Sequence, residues 1–201
     1  RRISAELFGG SGSWGNGGAM RVAPLGAYFA DDLERTAAEA AASAEVTHAH
    51  PEGIAGGVAV AVAAARAAAL RGEQPKLPAI ELIDAVLDHL ADGDVRRGVE
   101  QARKMLDRPA DEVARALGNG KSRSAQDTVP FVLWVVAARL DDYEYATRTA
   151  VEAGGDTDTT GAMVGGILAA HLGTEAVPSA WLSVREPLPE WLRAWFAAER
   201  L

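Results

Sequence analysis

Between positions 51 and 71 the chain reads PEGIAGGVAVAVAAARAAALR, a run built almost wholly of Ala, Gly and Val. His50-Pro51 opens it, with Pro placed at the first helical position. A helix that is small and apolar on most faces has no side to give to water, so it must lie at the centre of a fold. This run therefore predicts a long, buried central helix from Pro51 to about Arg71, wrapped by others. The chain has 201 residues, 48% of them hydrophobic, which is enough for one well-buried core. Alanine dominates that apolar fraction, and Ala favours helix.

Amphipathic helical segments are expected around the central one. Asp31 or Asp32 caps a helix to about Val46. Further helices are expected over 79–91, 94–106, 109–117, 127–140 (with Pro130 in its first turn), 141–153 and 157–172. Residues 72–78 read as a turn, 118–124 (GNGKSRS) as a polar loop, and 179–201 as a Trp-rich tail with a terminal helix over 190–201. Residues 8–18 (FGGSGSWGNGG) read as a glycine-rich loop leading into an apolar stretch, 19–30. No alternating strand pattern and no repeat is found. The reading is all-α, one compact multi-helix domain over 1–201.

The net charge is −8 and there are no cysteines. No basic run stands out, so no direct nucleic-acid partner is expected. Disulfides, thiolate nucleophiles and Cys-based metal sites are excluded, and a cytoplasmic location is the default. The longest apolar stretches, 53–65 and 129–138, fall short of the ~20 residues that span a bilayer, so no membrane association is expected. The first residue is Arg rather than Met, which leaves the native start open.

The chemistry concentrates in residues 154–161 (GGDTDTTG), where a helix should begin. Carboxylate and hydroxyl oxygens in such density suit Mg²⁺, Mn²⁺ or Ca²⁺. An EF-hand loop fails, because its twelfth position would be Ile167 rather than Glu. The Asp-x-Asp-x-Thr pattern of phosphoaspartyl phosphatases needs a preceding buried strand, and AVEAGG is a helix end and a turn. An ordinary helix cap, with Asp156 at the N-cap and Asp158 in the first turn, stays open. Trp14 reads as either a core or a ligand residue. His48 and His50 read as cap or core residues, Arg21 as one half of an internal ion pair, and the tryptophans of 181–195 as packing residues.

Four motifs in order, GGSGSWGNGGAMRVAP (9–24), THAHPEG (47–53), VPF (129–131) and GGDTDTTGAMVGGI (154–167), resemble the ADP-ribosylglycohydrolase family, the metal-dependent ADP-ribosyl-acceptor hydrolases. The resemblance implies an all-α fold with a two-metal Mg²⁺ or Mn²⁺ centre. It also implies hydrolysis that frees ADP-ribose by cleaving the bond at the ribose anomeric carbon. It assigns Asp156, Asp158 and Thr159 as metal ligands, with Asp158 also in the catalytic role. Gly12, Ser13, Trp14, Gly15, Asn16 and Gly17 match the loop that contacts diphosphate and ribose, and His48 matches a histidine near the diphosphate. Phe8 and Trp14 match the aromatic residues that the serine-ADP-ribose hydrolase branch places around adenine. The implied partner is ADP-ribose or an ADP-ribosylated protein. The family's second acidic motif, of the form Thr-Asp-Asp-Thr, has no counterpart in 1–201. On this resemblance the chain is expected to be part of a longer protein, with half a metal site. A non-catalytic ADP-ribose-binding or nucleotide-binding module is the alternative. Acceptor specificity and oligomeric state are not legible.

Overall fold

The computed structural model describes residues 2–72 and 78–193. Among these the chain forms α1 (Arg2–Gly10), α2 (Gly17–Met20), α3 (Ala23–Tyr28), α4 (Leu33–Glu45) and α5 (Pro51–Ala69). It continues through α6 (Ala79–Leu87), α7 (Asp94–Lys104), α8 (Ala110–Leu117) and α9 (Ala125–Ala138). Last come α10 (Tyr143–Glu152), α11 (Thr157–Leu172) and α12 (Ser179–Val184), with a short 3₁₀ turn (Thr174–Ala176) before α12. No strand occurs among the described residues. A single antiparallel bridge pairs Gly15 with Ser124. The all-α expectation holds.

Helix α5 is the central element, as its composition demands. Residues 60–65 are wholly shielded from solvent, and α2, α3, α4, α6, α7, α9 and α11 all contact the helix. Its side chains are small because its neighbours come close: a Cβ on Gly26 of α3 would lie 2.1 Å from the Ala61 carbonyl oxygen. By length and composition α5 could cross a membrane, contrary to the expectation from sequence, yet 67% of its apolar window is buried inside the protein. The bulkier core comes from α9, where Phe131 and Trp134 stack in parallel at 6.2 Å. The Trp134 indole N–H donates to the Met105 carbonyl at 2.8 Å. Burying a side chain such as Phe131 stabilises the fold by ~1.5–3 kcal/mol.

Side-chain caps close several helix ends, as expected at Asp32 and His50. Asp32 and Asp142 accept from the amides of Arg35 and Tyr145, both at 2.9 Å. His50 caps α5, its Nδ1 accepting from the Glu52 amide at 3.1 Å. Helix α11 stops at Gly173, whose φ of 82° disfavours a side chain.

The apolar stretch 19–30 falls in two short helices, α2 ending at its Arg21 C-cap and α3 at its Phe29 C-cap. Four expectations are corrected. Pro130 lies in the second turn of α9, since the helix begins at Ala125. There its ring fits against Gly98 of α7, where a Cβ would come within 2.4 Å. Helix α6 ends at Leu87 rather than running to 91. Arg21 makes no ion pair among the described residues; it donates to Thr47 Oγ1 at 2.8 Å and the Ser43 carbonyl at 3.2 Å. Trp181 packs against Tyr143, whereas Trp191 is 72% exposed. Most of the 72–78 turn, Trp195 and most of the terminal helix lie outside the described residues.

Candidate active site

Three segments far apart in sequence meet at the N-termini of α5 and α11. The first is the glycine-rich loop. Helix α1 breaks at Leu7 and Phe8, where φ reaches 53°. The break is closed by the Gly12 amide donating to the Leu7 carbonyl at 3.0 Å. Phe8, 64% exposed, meets Trp14, 41% exposed, at 5.4 Å. The Trp14 ring in turn meets His50 edge-on at 5.5 Å. Trp14 is therefore not a core residue but part of an exposed aromatic cluster.

The loop lies flat on the start of α5. Gly12 has φ +73°, and a Cβ there would come within 2.6 Å of the His50 amide nitrogen, so only glycine fits. The His50 amide donates to the Ser13 carbonyl at 3.3 Å. Among the described residues, the amides of Ser13 and Trp14 donate to no protein acceptor. The His48 ring fills the space beneath Gly15 and Gly17, where added Cβ atoms would come within 3.1–3.2 Å of it. Its Nδ1 is 2.8 Å from Thr47 Oγ1. Burial, and then the charge of Arg21, hold the imidazole below its ordinary pKa, so it is neutral near pH 7.

The second segment, 118–124, read only as a polar loop from sequence, is the element that joins the other two. Ala125 donates to the Trp14 carbonyl at 2.9 Å, and Asn16 donates to the Arg123 carbonyl at 3.0 Å. At the loop's other end, the Asp156 amide donates to the Asn119 carbonyl at 3.2 Å. Gly155, at φ +76°, has no room for a Cβ, which would sit 2.3 Å from that same carbonyl oxygen. The cue in the sequence was the Gly-Asn-Gly between two helices, whose short spacing permits a tight bend but does not say what the bend touches.

The third segment is the Asp-rich turn. Asp156 stands at the N-cap of α11, but its side chain makes no capping bond to the helix. It turns instead to Asn16, whose side-chain amide donates to Asp156 Oδ2 at 2.8 Å and to Thr128 Oγ1 at 3.1 Å. The ordinary-cap reading of Asp156 is thereby set aside. Burial raises the Asp156 pKa, but hydrogen bonding at Asn16, Asp158 and Thr159, together with the Arg123 charge, outweighs it and the net direction is down. Thr159 is 5% exposed and its hydroxyl lies 3.5 Å from Met20 Sδ. Asp158 is exposed and lines, with Asp156, a cleft of about 280 Å³.

Asn16, Trp14, His48, Asp156 and Thr159 are thus gathered around one patch. A carboxylate kept ionised and released from capping suits an oxygen-seeking divalent cation. The set is incomplete, however. Among the described residues no three His, Asp or Glu side chains converge as a metal group, whereas such cations take about six oxygens. The remainder would come from water, substrate or other protein oxygens.

The family model for ADP-ribosylglycohydrolase matches residues 1–201. The chain belongs to the ADP-ribosylglycohydrolase family. It is 34% identical over 200 residues to ADP-ribosylhydrolase ARH3 of Gallus gallus, covering 87% of this chain and 54% of that protein. It is 29% identical over 207 residues to ARH3 of Homo sapiens, with 87% and 54% covered. An uncharacterized protein of Archaeoglobus fulgidus is 34% identical over 168 residues, with 83% and 52% covered. The chain spans about half the length of the curated relatives it matches. For an ADP-ribosylglycohydrolase, the all-helical architecture is the expected one.

Proposed function

We propose that the intact protein is a divalent-cation-dependent hydrolase that frees ADP-ribose from ADP-ribosylated acceptors by cleaving the bond at the ribose anomeric carbon. The observation that carries this reading is the 2.8 Å link from Asn16 to Asp156, which couples the glycine loop to the carboxylates. Phe8 and Trp14 offer ring faces to adenine; stacking of this kind contributes ~1–3 kcal/mol per base. The unpaired amides of Ser13 and Trp14 suit a diphosphate oxygen without any Lys or Arg. Neutral His48 beneath the loop adds a polar edge and no charge. Asp156, Asp158 and Thr159 would hold Mg²⁺ or Mn²⁺, which when bound orients ribose hydroxyls and acidifies water. Asn16 keeps Asp156 ionised and aimed at the cleft. The bond that breaks passes through an oxocarbenium-like state, and the Asp158 carboxylate is the exposed acidic group placed to stabilise it.

Incubating the intact protein with ADP-ribosylated protein and Mg²⁺ or Mn²⁺ tests the reading. Asp158→Asn is expected to slow release on the order of 100-fold or more, about 2.7 kcal/mol of barrier. Undiminished release would remove Asp158 from the site. The shortage of convergent carboxylates favours a second reading, a binding module without catalysis. Tight ADP-ribose binding by calorimetry with no turnover in the intact protein supports that alternative.

A further inference from the structure

The cleft beside Asp156 carries two cations to which the proposed reaction assigns no ligand. Lys121 and Arg123 line the same cleft as Asp156, Thr157 and Asp158. Both side chains are exposed, and among the described residues neither forms an ion pair. Other arginines of this acidic chain are engaged: Arg103 with Asp84, Arg115 with Asp111, Arg148 with Glu144. Arg123 also holds a backbone conformation that favours glycine, with φ 57°. Its amide donates to the Gly120 carbonyl at 2.8 Å and its carbonyl accepts from Asn16, so the conformation is set by the loop on both sides. A bend that glycine would make more easily presents a guanidinium instead.

We infer that Lys121 and Arg123 form an acceptor-side subsite for acidic side chains flanking the ADP-ribosylated residue of a protein acceptor. The inference rests on the hydrolase reading above. Asn16 marks the division of the site. Its backbone belongs to the loop that carries Trp14, and its side chain reaches Asp156. With the anomeric carbon at the carboxylates, the acceptor polypeptide leaves from the cleft that Lys121 and Arg123 also line. An acidic group pressed against Asp156 or Asp158 would be repelled, so within the cleft it docks on the two cations. The nucleotide diphosphate is the poorer occupant, because the Ser13 and Trp14 amides serve it from the glycine loop.

The test compares release of ADP-ribose by the intact protein from two modified peptides that differ only in Glu or Gln at the flanking positions. The wild type is expected to favour the Glu peptide in kcat/KM by roughly three- to tenfold at low salt, with the preference lost near 0.5 M salt. In Lys121→Gln/Arg123→Gly the Glu-to-Gln ratio falls to about one; glycine keeps the loop conformation. Arg123→Lys retains most of the ratio. A change in Asp156 caused by losing the Arg123 charge would slow both peptides together and leave the ratio untouched. Equal wild-type efficiency on both peptides overturns the subsite while leaving the hydrolase reading standing. Release from neither peptide overturns the hydrolase reading and the subsite with it.

Discussion

Replacing Asn16 by Ala cuts the side-chain link from the glycine loop to Asp156. The amide donates to Asp156 Oδ2 at 2.8 Å and Thr128 Oγ1 at 3.1 Å, and Asn16 is 6% exposed. A hydrogen bond to a charged group contributes ~1.5–3 kcal/mol net. Thr128 keeps its own donation to the Ser124 carbonyl at 2.7 Å, so it adds little to the loss. Asp156 is only half-buried, so water can reach its carboxylate once the amide is gone. The lower part of the range applies, about 2 kcal/mol, or a fall in Tm of about 4–8 °C for a chain of this size. The assay is thermal and guanidinium unfolding at pH 7 and again near pH 3. The folded pKa of Asp156 lies below the ordinary value of 3.8. Its ionised form therefore stabilises the fold above that value, and the contribution is lost as pH falls through the depressed one. Asn16→Ala raises the folded pKa, so the gap between wild type and variant should narrow in acid. Asn16→Asp, of equal size but with an acceptor facing Oδ2, should cost more than Ala at pH 7 and less than it does there at pH 3. A variant within about 0.5 kcal/mol of wild type at pH 7, or a gap that widens in acid, would refute the reasoning.

Other outcomes follow from the same structure. Burial and Arg21 lower the His48 pKa below 6.5; the unfolded chain then binds the proton more readily, so stability is level above that pH and falls as pH drops below it. Denaturant titration across pH 5–8 should show that acid-side loss in wild type and not in His48→Gln. Gly12→Ala meets the His50 amide nitrogen at 2.6 Å and needs φ +73°; a destabilisation of at least ~1–2 kcal/mol is expected, with altered Trp14 fluorescence reporting the displaced loop. Glu52 reaches across from α5 to accept from the Asp94 and Val95 amides at 2.7 and 2.8 Å, capping α7 from outside its own chain segment. Glu52→Ala should cost ~0.5–2 kcal/mol and speed hydrogen exchange at those two amides; unchanged exchange would mean that water already supports them.

The central helix and the caps at Asp32 and His50 were legible because each depends on residues within a few positions of one another. The chemical roles of Phe8, Asn16 and His48 came from motif likeness, and the structure supplied their contacts. Segment 118–124 was not legible as part of the site: nothing in GNGKSRS says that its carbonyls will meet Asn16 on one side and Asp156 on the other. Pro130 looked like a first-turn residue because Pro commonly sits there, but the Gly98 surface of α7 accepts its ring one turn later. Arg21 looked like an ion-pair partner by charge alone, whereas packing put a threonine and a carbonyl within its reach.

Period, small-residue content and capping chemistry determined from sequence alone that this chain is helical and that α5 lies at its centre, since helix formation and amphipathic burial are local in cause. Tertiary structure decided what Asp156 does. At an N-cap its side chain would ordinarily serve its own helix; here a residue 140 positions away binds it instead and leaves it ionised beside a cleft. Which hydrogen-bond donor reaches a carboxylate depends on how helices pack around α5, and no spacing within a motif records that distance.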